Sequence, residues 1–301
     1  MKLSIITINY NNAEGLRKTL ASVASQTFRD YEHIIVDGGS TDGSVEVIRE
    51  YEQSLASRLS PLASNLKWLS EPDSGIYNAM NKGIEIALGK RIVNSYNRSE
   101  LVEDKNKGIK MADGEYLLFL NSGDYLVDAN TLKNVFADAD DVDIIYGDRI
   151  NVWKDGLERN RDSFPDHITG YFLYRGMISH QASFIKSDLF VKYGLYREDL
   201  KYGADWEFFL RTFLLYNCTY QHIYQNVVYF DCLGISSVAE NNKEMWEERK
   251  RVFAETLPAF AEDYMLMEHY QEILRGYDKR ANQLGKMIVK PIRRLMKLVK
   301  K

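Results

Sequence analysis

The sequence predicts an α/β fold, with a Rossmann-like domain built on a mostly parallel central sheet and a helical extension at the C-terminal end. Short apolar runs rich in β-branched residues alternate with amphipathic stretches of helical period. Polar clusters of Asp, Asn and Gly directly follow these runs. This alternation is typical of parallel sheets, whose ligands bind outside the carboxyl ends of the strands.

The first four elements follow one another as strand, helix, strand, helix. Residues 3–8 are an apolar run that predicts a strand, and an Asn-rich turn and an amphipathic stretch over 16–24 come next. Residues 31–36 predict a second buried strand, which stops at a cluster of Asp and Gly, and residues 45–51 predict the helix behind it. The two polar turns are therefore expected at the same edge of the sheet.

The same patterns predict the later elements. Strands are expected over 66–69, 116–120 and 143–146, and helices over 75–86 and 205–216. The nearly all-apolar strand over 116–120 ends in an Asn-Ser-Gly-Asp turn, which adds a third polar cluster to the expected crevice.

An internal repeat interrupts this order. Residues 81–101 match residues 106–126 at an offset of 25, and the tetrapeptide Asn-Lys-Gly-Ile recurs whole. Because two copies are too few to bury the core of a solenoid, we interpret the repeat as a local duplication inserted near residues 82–106. The position equivalent to Asp124 is Ser99 in the first copy, so only the second copy keeps the carboxylate.

Composition excludes several classes of protein. The apolar fraction is 45% and the charged fraction 27%, which is ordinary for a globular chain. The two cysteines have neither metal-ligand spacing nor the number needed for a disulfide framework, so a reducing compartment is expected. The N-terminal segment lacks the apolar region and cleavage site of a signal peptide, and we therefore expect a cytoplasmic protein.

The net charge of −4 hides a basic tail. Residues 286–301 contain seven Lys and Arg and no acid, which leaves −11 for the rest of the chain and argues against a nucleic-acid partner. Apolar residues such as Ile288, Ile292 and Leu295 recur in the tail at helical spacing, with Pro291 among them. This pattern predicts an interfacial helix on an anionic membrane, and a solvated helix or a docking segment is the alternative.

Four carboxylates lie just after predicted strands or at the ends of loops: Asp37, Asp42, Asp73 and Asp124. In a parallel sheet, these positions converge on one crevice. Such a group is suited to bind the base and ribose of a nucleotide and to hold a hard divalent cation against a diphosphate. Taken singly, each Asp has an alternative role as a turn former or helix cap.

Three blocks of sequence resemble the family 2 glycosyltransferases of the GT-A fold. Residues 4–12 and 36–44 are similar to the family's nucleotide-binding strand-loop units, and residues 70–83 are similar to the block that follows them. The resemblance implies a GT-A domain over 1–238 and a helical extension over 239–301. It also implies an inverting enzyme that moves a sugar from a UDP-sugar to an acceptor hydroxyl.

The resemblance also implies roles for particular residues on the donor side. Residues 119–124 look like the family's Asp-x-Asp metal motif in a variant that keeps only the last carboxylate, which implies Asp124 as the ligand of Mg²⁺ or Mn²⁺. The residues expected to contact the donor are Thr7, Asn9, Asp37, Asp73 and Asn121.

On the acceptor side, residues 179–184 and 203–211 resemble the second half of the family's site. The Asp that matches Asp205 is the family's general base, and inverting transfer needs a carboxylate to deprotonate the acceptor hydroxyl. The alternative role of Asp205 is a helix N-cap. The residues expected to contact the acceptor or the diphosphate are His180, Gln181 and Arg211.

The acceptor implied is a glycan or lipid-linked precursor of surface polysaccharide or glycolipid, especially if the tail contacts a membrane. Two other functions stay open. A metal motif that keeps only one carboxylate is compatible with a pseudoenzyme that only binds a sugar nucleotide. A nucleotidyltransferase would share the nucleotide-binding strands, but the chain has no Gly-rich, Lys-bearing phosphate loop near its N-terminus.

Overall fold

A computed structural model describes most of the chain, and the ranges it covers are 1–57, 61–91, 94–95, 114–153, 158–232 and 242–299. For residues 284–299 it describes the helical backbone alone. The chain divides into two compact units, Met1–Glu248 and Arg249–Lys301. The expected domain boundary at residue 238, Ser99 and part of the expected duplication lie outside the described residues.

The elements of the first half, in chain order, are β1 (Leu3–Asn9), α1 (Ala13–Ala24), β2 (Tyr31–Asp37), α2 (Ser44–Ser57), β3 (Leu66–Ser70), α3 (Ile76–Ala87), β4 (Asn94–Ser95), β5 (Tyr116–Phe119), β6 (Tyr125–Leu126) and α4 (Thr131–Asp138). Those of the second half are β7 (Ile144–Val152), β8 (Glu158–Asp162), α5 (Gly170–Arg175), β9 (Ser183–Lys186), α6 (Ser187–Tyr193), α7 (Ala204–Leu214), β10 (Tyr220–Asp231), α8 (Asn242–Thr256) and α9 (Pro258–Val299).

One mixed sheet runs through the first unit in the order β4-β3-β2-β1-β5-β9-β7-β10-β6, and β8 pairs with β7. Strands β3, β2, β1 and β5 are mutually parallel and form the parallel half that the βαβα pattern predicts. Antiparallel β9 joins this half to β7, which pairs in parallel with β10. The predicted α/β fold with C-terminal helices is confirmed.

The core forms around β1, which is buried along its whole length and is covered on both faces. Leu3 and Ile5 pack into the cluster that also contains the apolar residues of α1 and α2. Ile6 points the other way, toward α3. A Cβ added at Gly83 would lie 2.4 Å from Ile6 Cγ2, so the glycine lets this helix approach the sheet closely.

Strand register fixes which polar residues meet at the edge of the sheet. Asn9, Asp37 and Ser70 are direct neighbours across the ends of β1, β2 and β3. Leu126 in β6 pairs with β10 in antiparallel fashion, which brings the end of β10 next to the turn after β5. Five strand ends therefore contribute to one edge.

Several elements differ from the sequence prediction. The strand expected over 143–146 extends as far as Val152, because β8 pairs with its second half from Arg149 onward. Strand β8 itself is the polar pentapeptide Glu-Arg-Asn-Arg-Asp, which has no apolar alternation to reveal it. These segments become strands because neighbouring strands of the sheet pair with them. Their own side-chain pattern does not favour a strand, so the tertiary context determines the structure here.

The second unit consists mainly of α9, which is 42 residues long. At about 1.5 Å per residue it spans roughly 60 Å. Pro291 does not end the helix, which continues to Val299. Among the described residues, no helix is both long enough and apolar enough to cross a lipid bilayer.

Candidate active site

A cavity of about 780 Å³ opens at the carboxyl ends of the parallel strands. Its walls come from the ends of β1 and β5, the start of α3, the short turn before β9 and the start of α7. The expected site residues that line it are Asn9, Asp73, Asn121, Asp124, His180, Gln181 and Asp205. Residues that lie far apart along the chain therefore share one space.

Asp37 lies behind the cavity and does not line it. The side chain is fully buried, and its Oδ1 accepts hydrogen bonds from Asn9 Nδ2 at 2.8 Å and Ser40 Oγ at 2.5 Å. Its Oδ2 accepts from Ser40 N at 3.0 Å and Ser70 Oγ at 2.7 Å. Both oxygens of the carboxylate are therefore occupied by hydrogen bonds within the protein, and the side chain that lines the cavity is that of Asn9. The buried Oδ1 of Asn9 has no partner among the described residues.

Gly38 makes room for two side chains at the end of the cavity near Asn9. A Cβ at this position would lie 2.5 Å from Asp73 Oδ2 and 3.2 Å from Tyr10 Cδ2. Asp73 Oδ1 also accepts a hydrogen bond from Gly75 N at 2.9 Å, so the carboxylate is held over the glycine. Tyr10 is 66% exposed and offers an uncovered ring face beside it.

Thr7 and Asp42 have structural contacts away from the cavity. Thr7 Oγ1 lies 3.0 Å from His33 Nε2 in the interior, where burial lowers the pKa of His33 to about 3 and keeps the ring neutral. Asp42 accepts hydrogen bonds from Ala13 N at 2.8 Å and from Ser44 N at 3.1 Å, which caps α2 and ties it to α1. The expected donor contact of Thr7 has no support in this geometry.

Arg211 does not line the cavity either. Its Nε lies 3.1 Å from Glu207 Oε2, and its other nitrogens donate to the backbone carbonyls of Tyr193, at the end of α6, and of Leu195, in the loop that follows. The guanidinium also covers the ring of Phe208 at 4.8 Å. The side chain therefore fixes a loop against α7, and this geometry does not support the expected contact with acceptor or diphosphate.

Asp124 is a buried carboxylate with a second carboxylate beside it. Its Oδ1 accepts a hydrogen bond from Asp231 N at 2.8 Å, and a Cβ on Gly123 would lie 2.9 Å from Asp231 Oδ2. Burial raises the pKa of Asp124 to about 7, against the lowering effects of the Asp231 amide, His180 and Arg149. Paired hard oxygen donors in a desolvated place fit Mg²⁺ or Mn²⁺, because the cation supplies the charge that burial leaves unbalanced.

Asn121 lies in the same turn and lines the cavity. Its backbone carbonyl accepts hydrogen bonds from Asp124 N at 3.0 Å and Thr19 Oγ1 at 3.3 Å, which fix the turn. Its buried side-chain Oδ1 has no partner within the described ranges. Those same ranges contain no group of three or more His, Cys, Asp or Glu side chains placed to hold a metal.

Asp205 also lines the cavity and is held by three donors. Its Oδ1 accepts from Trp206 N at 2.9 Å and Tyr77 Oη at 3.0 Å, and its Oδ2 lies 2.7 Å from His180 Nδ1. Burial alone raises the pKa of Asp205, but the hydrogen bond and charge of His180, together with the other two donors, lower it more. The carboxylate is therefore ionised at neutral pH. His180 Nε2 is buried without a partner in the part of the chain described.

Sequence reasoning missed three residues at this site: Tyr10, Tyr77 and Asp231. Asp231 directly follows the apolar run 227–230, which is the pattern that singled out Asp37, so the signal was present. Tyr77 bonds to a residue 128 positions away, and no local pattern could indicate that contact.

A cavity lined by carboxylates at the carboxyl ends of parallel strands is the usual ligand-binding place of an α/β protein. The model of glycosyl transferase family 2 matches residues 4–96 of the chain. An uncharacterised glycosyltransferase from Mycobacterium tuberculosis is 31% identical over 245 residues, which cover 79% of this chain and 78% of the relative. A PGL/p-HBAD biosynthesis glycosyltransferase from Mycobacterium bovis is 30% identical over 70% of this chain and 69% of its own length.

Solved structures agree on the fold. TarS 1–349 from S. aureus, in complex with UDP-GlcNAc, superposes with a TM-score of 0.60 at 20% identity, and the match covers 85% of this chain and 66% of that one. The mannosyltransferase PcManGT from Pyrobaculum calidifontis, in complex with GDP-Man and Mn²⁺, gives a TM-score of 0.55 at 15% identity over 88% and 68%. The chain belongs to glycosyl transferase family 2 and is a glycosyltransferase with the GT-A fold.

Proposed function

We propose that this glycosyltransferase inverts configuration and moves a sugar from a UDP-sugar to an acceptor hydroxyl. The observation that carries the proposal is the cavity itself, which is lined by the buried Asp124, by the half-buried Asp231 and by Asp205, an ionised and hydrogen-bonded carboxylate. Inverting transfer needs two such groups on opposite sides of the sugar, one at the leaving diphosphate and one at the acceptor.

The donor nucleotide binds at the end formed by Asn9, Tyr10 and Asp73. The unpartnered Asn9 Oδ1 can accept the N–H of a uracil ring, and Tyr10 can stack on the base. Asp73 accepts hydrogen bonds from the ribose, with Asn121 Oδ1 as a second acceptor near the diphosphate. Asp37 supports this end indirectly, because it fixes the orientation of Asn9.

Asp124 is the proposed metal ligand, and Asp231 is a second carboxylate for the same ion. A bound Mg²⁺ or Mn²⁺ would neutralise negative charge on the diphosphate. The Asp231 amide orients Asp124 Oδ1, and Gly123 leaves room for Asp231, so the two chain segments form this end of the cavity together.

Asp205 acts as the general base. It accepts the proton of the acceptor hydroxyl while that oxygen forms a bond to the anomeric carbon, and the bond from this carbon to the diphosphate breaks with its electron pair leaving on UDP. Tyr77 and His180 hold the carboxylate in one orientation, and their hydrogen bonds keep it ionised before the acceptor arrives.

The acceptor is proposed to be a glycan or lipid-linked precursor of surface polysaccharide or glycolipid. The PGL/p-HBAD biosynthesis relative supports this choice. We place the enzyme in the cytoplasm, with its basic tail attracted to the inner face of a membrane. The catalytic unit is proposed to occupy residues 1–238, and the extension residues 239–301.

A panel of nucleotide sugars tests the proposal. With Mn²⁺ present, a bound donor at about 100 times its dissociation constant adds roughly 2.7 kcal/mol to the free energy of unfolding. A UDP-sugar should raise the melting temperature most, and UDP should be released on addition of acceptor. Stabilisation without any release of UDP across a broad acceptor set would favour the pseudoenzyme, and preference for a free nucleoside triphosphate would favour the nucleotidyltransferase.

Gly38→Ala should weaken UDP binding about tenfold, a change of roughly 1.4 kcal/mol. The new methyl would lie 2.5 Å from Asp73 Oδ2, so the carboxylate must leave the nucleotide end. Titration calorimetry with UDP measures the effect. Gly276→Ala is the matched control, because nothing lies within 4 Å of its added Cβ. Equal affinities for the two variants would contradict the placement of the nucleotide.

Removal of residues 286–301 should abolish binding to anionic vesicles and leave UDP binding unchanged. Basic residues near an anionic surface are each attracted by about 1 kcal/mol, and the tail carries seven. Co-sedimentation of full-length and truncated protein with anionic and neutral vesicles measures this, and high salt should release the full-length protein. A full-length protein that ignores anionic vesicles at low salt would contradict the membrane role.

A further inference from the structure

Two residues of the cavity wall, Lys201 and Tyr202, come just before α7, which carries Asp205 in its first turn. Tyr202 is buried, whereas the side chain of Lys201 is 66% exposed. Neither residue belongs to a helix or a strand, so the hydrogen bonds of regular secondary structure do not fix their backbone. Their place in the wall therefore depends on contacts with other parts of the chain.

These contacts come from the first two turns of α8. Glu248 accepts two backbone hydrogen bonds, from Lys201 N to its Oε2 at 2.7 Å and from Tyr202 N to its Oε1 at 3.0 Å. Glu244 Oε2 accepts two more, from Tyr202 Oη at 2.7 Å and from Lys201 Nζ at 3.1 Å. Residues four apart lie on the same face of a helix, so the two carboxylates together hold the backbone and both side chains of the segment.

The same part of α8 also packs against α5. The ring of Trp246 lies 5.8 Å from the ring of Tyr174, edge to face. Helix α5 is in turn joined to α7, because Trp206 Nε1 donates a hydrogen bond to the Leu173 carbonyl at 2.6 Å. Helix α8 therefore contacts both the segment before Asp205 and the helix that is bonded to the residue after it.

We propose that Glu244 and Glu248 are positioning residues for the transfer reaction. They fix Lys201 and Tyr202 in the cavity wall beside α7, and thereby set where Asp205 meets the acceptor hydroxyl. The proposal rests on the role of Asp205 as the general base. Among the described residues, Lys201 is the only Lys or Arg that lines the cavity, and its ammonium can donate hydrogen bonds to oxygens of the acceptor. A displacement of about 1 Å at such a site can slow a reaction by about 10²-fold.

Glu248→Gln should lower kcat by about tenfold and leave the KM for the UDP-sugar unchanged. The amide keeps the size of the side chain, but its nitrogen cannot accept a hydrogen bond, so one of the two backbone N–H groups loses its partner. Release of UDP at saturating donor and acceptor measures kcat. Calorimetry with UDP counts the intact sites, so that kcat refers to folded protein alone. Glu247→Gln is the matched control, because it makes the same change at an exposed neighbour on α8 and should keep the wild-type kcat.

Hydrogen exchange followed by NMR tests the contact without measuring activity. In Glu248→Gln the amides of Lys201 and Tyr202 should exchange about tenfold faster than in wild type, and those of β1 should keep their wild-type rates. Glu244→Ala is a second variant that should fold normally, because Glu244 is 66% exposed and its ion pair contributes little to stability. Its kcat should fall by about threefold, and that of Glu247→Ala should not change.

The outcomes separate this role from the proposed function. If wild type transfers sugar and both α8 variants keep its kcat, the positioning role is wrong and the general base is unaffected. Unchanged exchange at the two amides in Glu248→Gln would also overturn the positioning role. A loss of UDP affinity as large as the loss of kcat would assign the two glutamates to overall folding instead. A wild-type protein that releases no UDP from any donor would overturn the proposed function, and this role with it.

Discussion

Asp205→Asn is expected to lower turnover by about 10²–10⁴-fold and to leave donor binding nearly unchanged. The amide keeps the shape of the side chain but cannot accept a proton from the acceptor hydroxyl. The donor end of the cavity, at Asn9 and Asp73, does not contact this side chain, so nucleotide affinity should persist. Release of UDP measures turnover, and calorimetry with UDP measures binding.

Two further variants sharpen the comparison. Asp42→Asn makes the same chemical change at a helix cap outside the cavity, and it should leave turnover intact. Tyr77→Phe removes one hydrogen bond to Asp205 and keeps the ring, so we expect a smaller loss of about tenfold. Near-normal turnover of Asp205→Asn would contradict the assignment of Asp205 as the general base.

Asp124→Ala should remove the metal dependence of UDP binding and lower turnover by about 10²-fold or more. Charge stabilisation by a bound cation contributes several kcal/mol to a transition state that develops negative charge. Calorimetry with UDP, with and without Mn²⁺, measures the first effect. Ser99→Ala, in the other copy of the duplicated segment, is the control and should keep the metal dependence. Equal effects of the two changes would contradict the assignment of Asp124 as the metal ligand.

The same carboxylate should make the stability of the metal-free protein depend on pH. Burial raises the pKa of Asp124 from 3.8 to about 7, so the folded state holds the proton more tightly than the unfolded state does. The resulting stabilisation is complete below about pH 4 and is lost as the pH rises through 7. The loss is on the order of 4 kcal/mol, because each tenfold difference in proton affinity between the two states corresponds to about 1.4 kcal/mol.

Asp124→Asn should abolish this part of the pH dependence. Urea unfolding in the presence of a chelator should show the variant to be more stable than wild type at pH 8 and similar to it near pH 4. A wild-type protein whose stability does not fall between these values, relative to the variant, would show that the carboxylate has a charged partner when folded.

The sequence by itself determined the α/β class and the order of the first elements. The apolar runs and the Asp-rich turns that follow them are local features, and strands of this kind have few ways to bury both faces. The resemblance to family 2 added the fold and the activity, because its blocks at residues 4–12, 36–44 and 70–83 are specific. It also named Asp124 and Asp205, which the structure places in one cavity.

Only the tertiary structure decided which polar residues face that cavity. Asp37 has the expected position at the end of a strand, yet hydrogen bonds from neighbouring residues occupy both of its oxygens. The side chain that lines the site is therefore that of Asn9. Asp231 reaches Asp124 through the antiparallel pairing of β6 with β10, and Tyr77 reaches Asp205 from a different helix. Register and packing join segments that are more than 100 residues apart, and these long-range contacts set the burial and charge state of each carboxylate, which no local pattern in the sequence records.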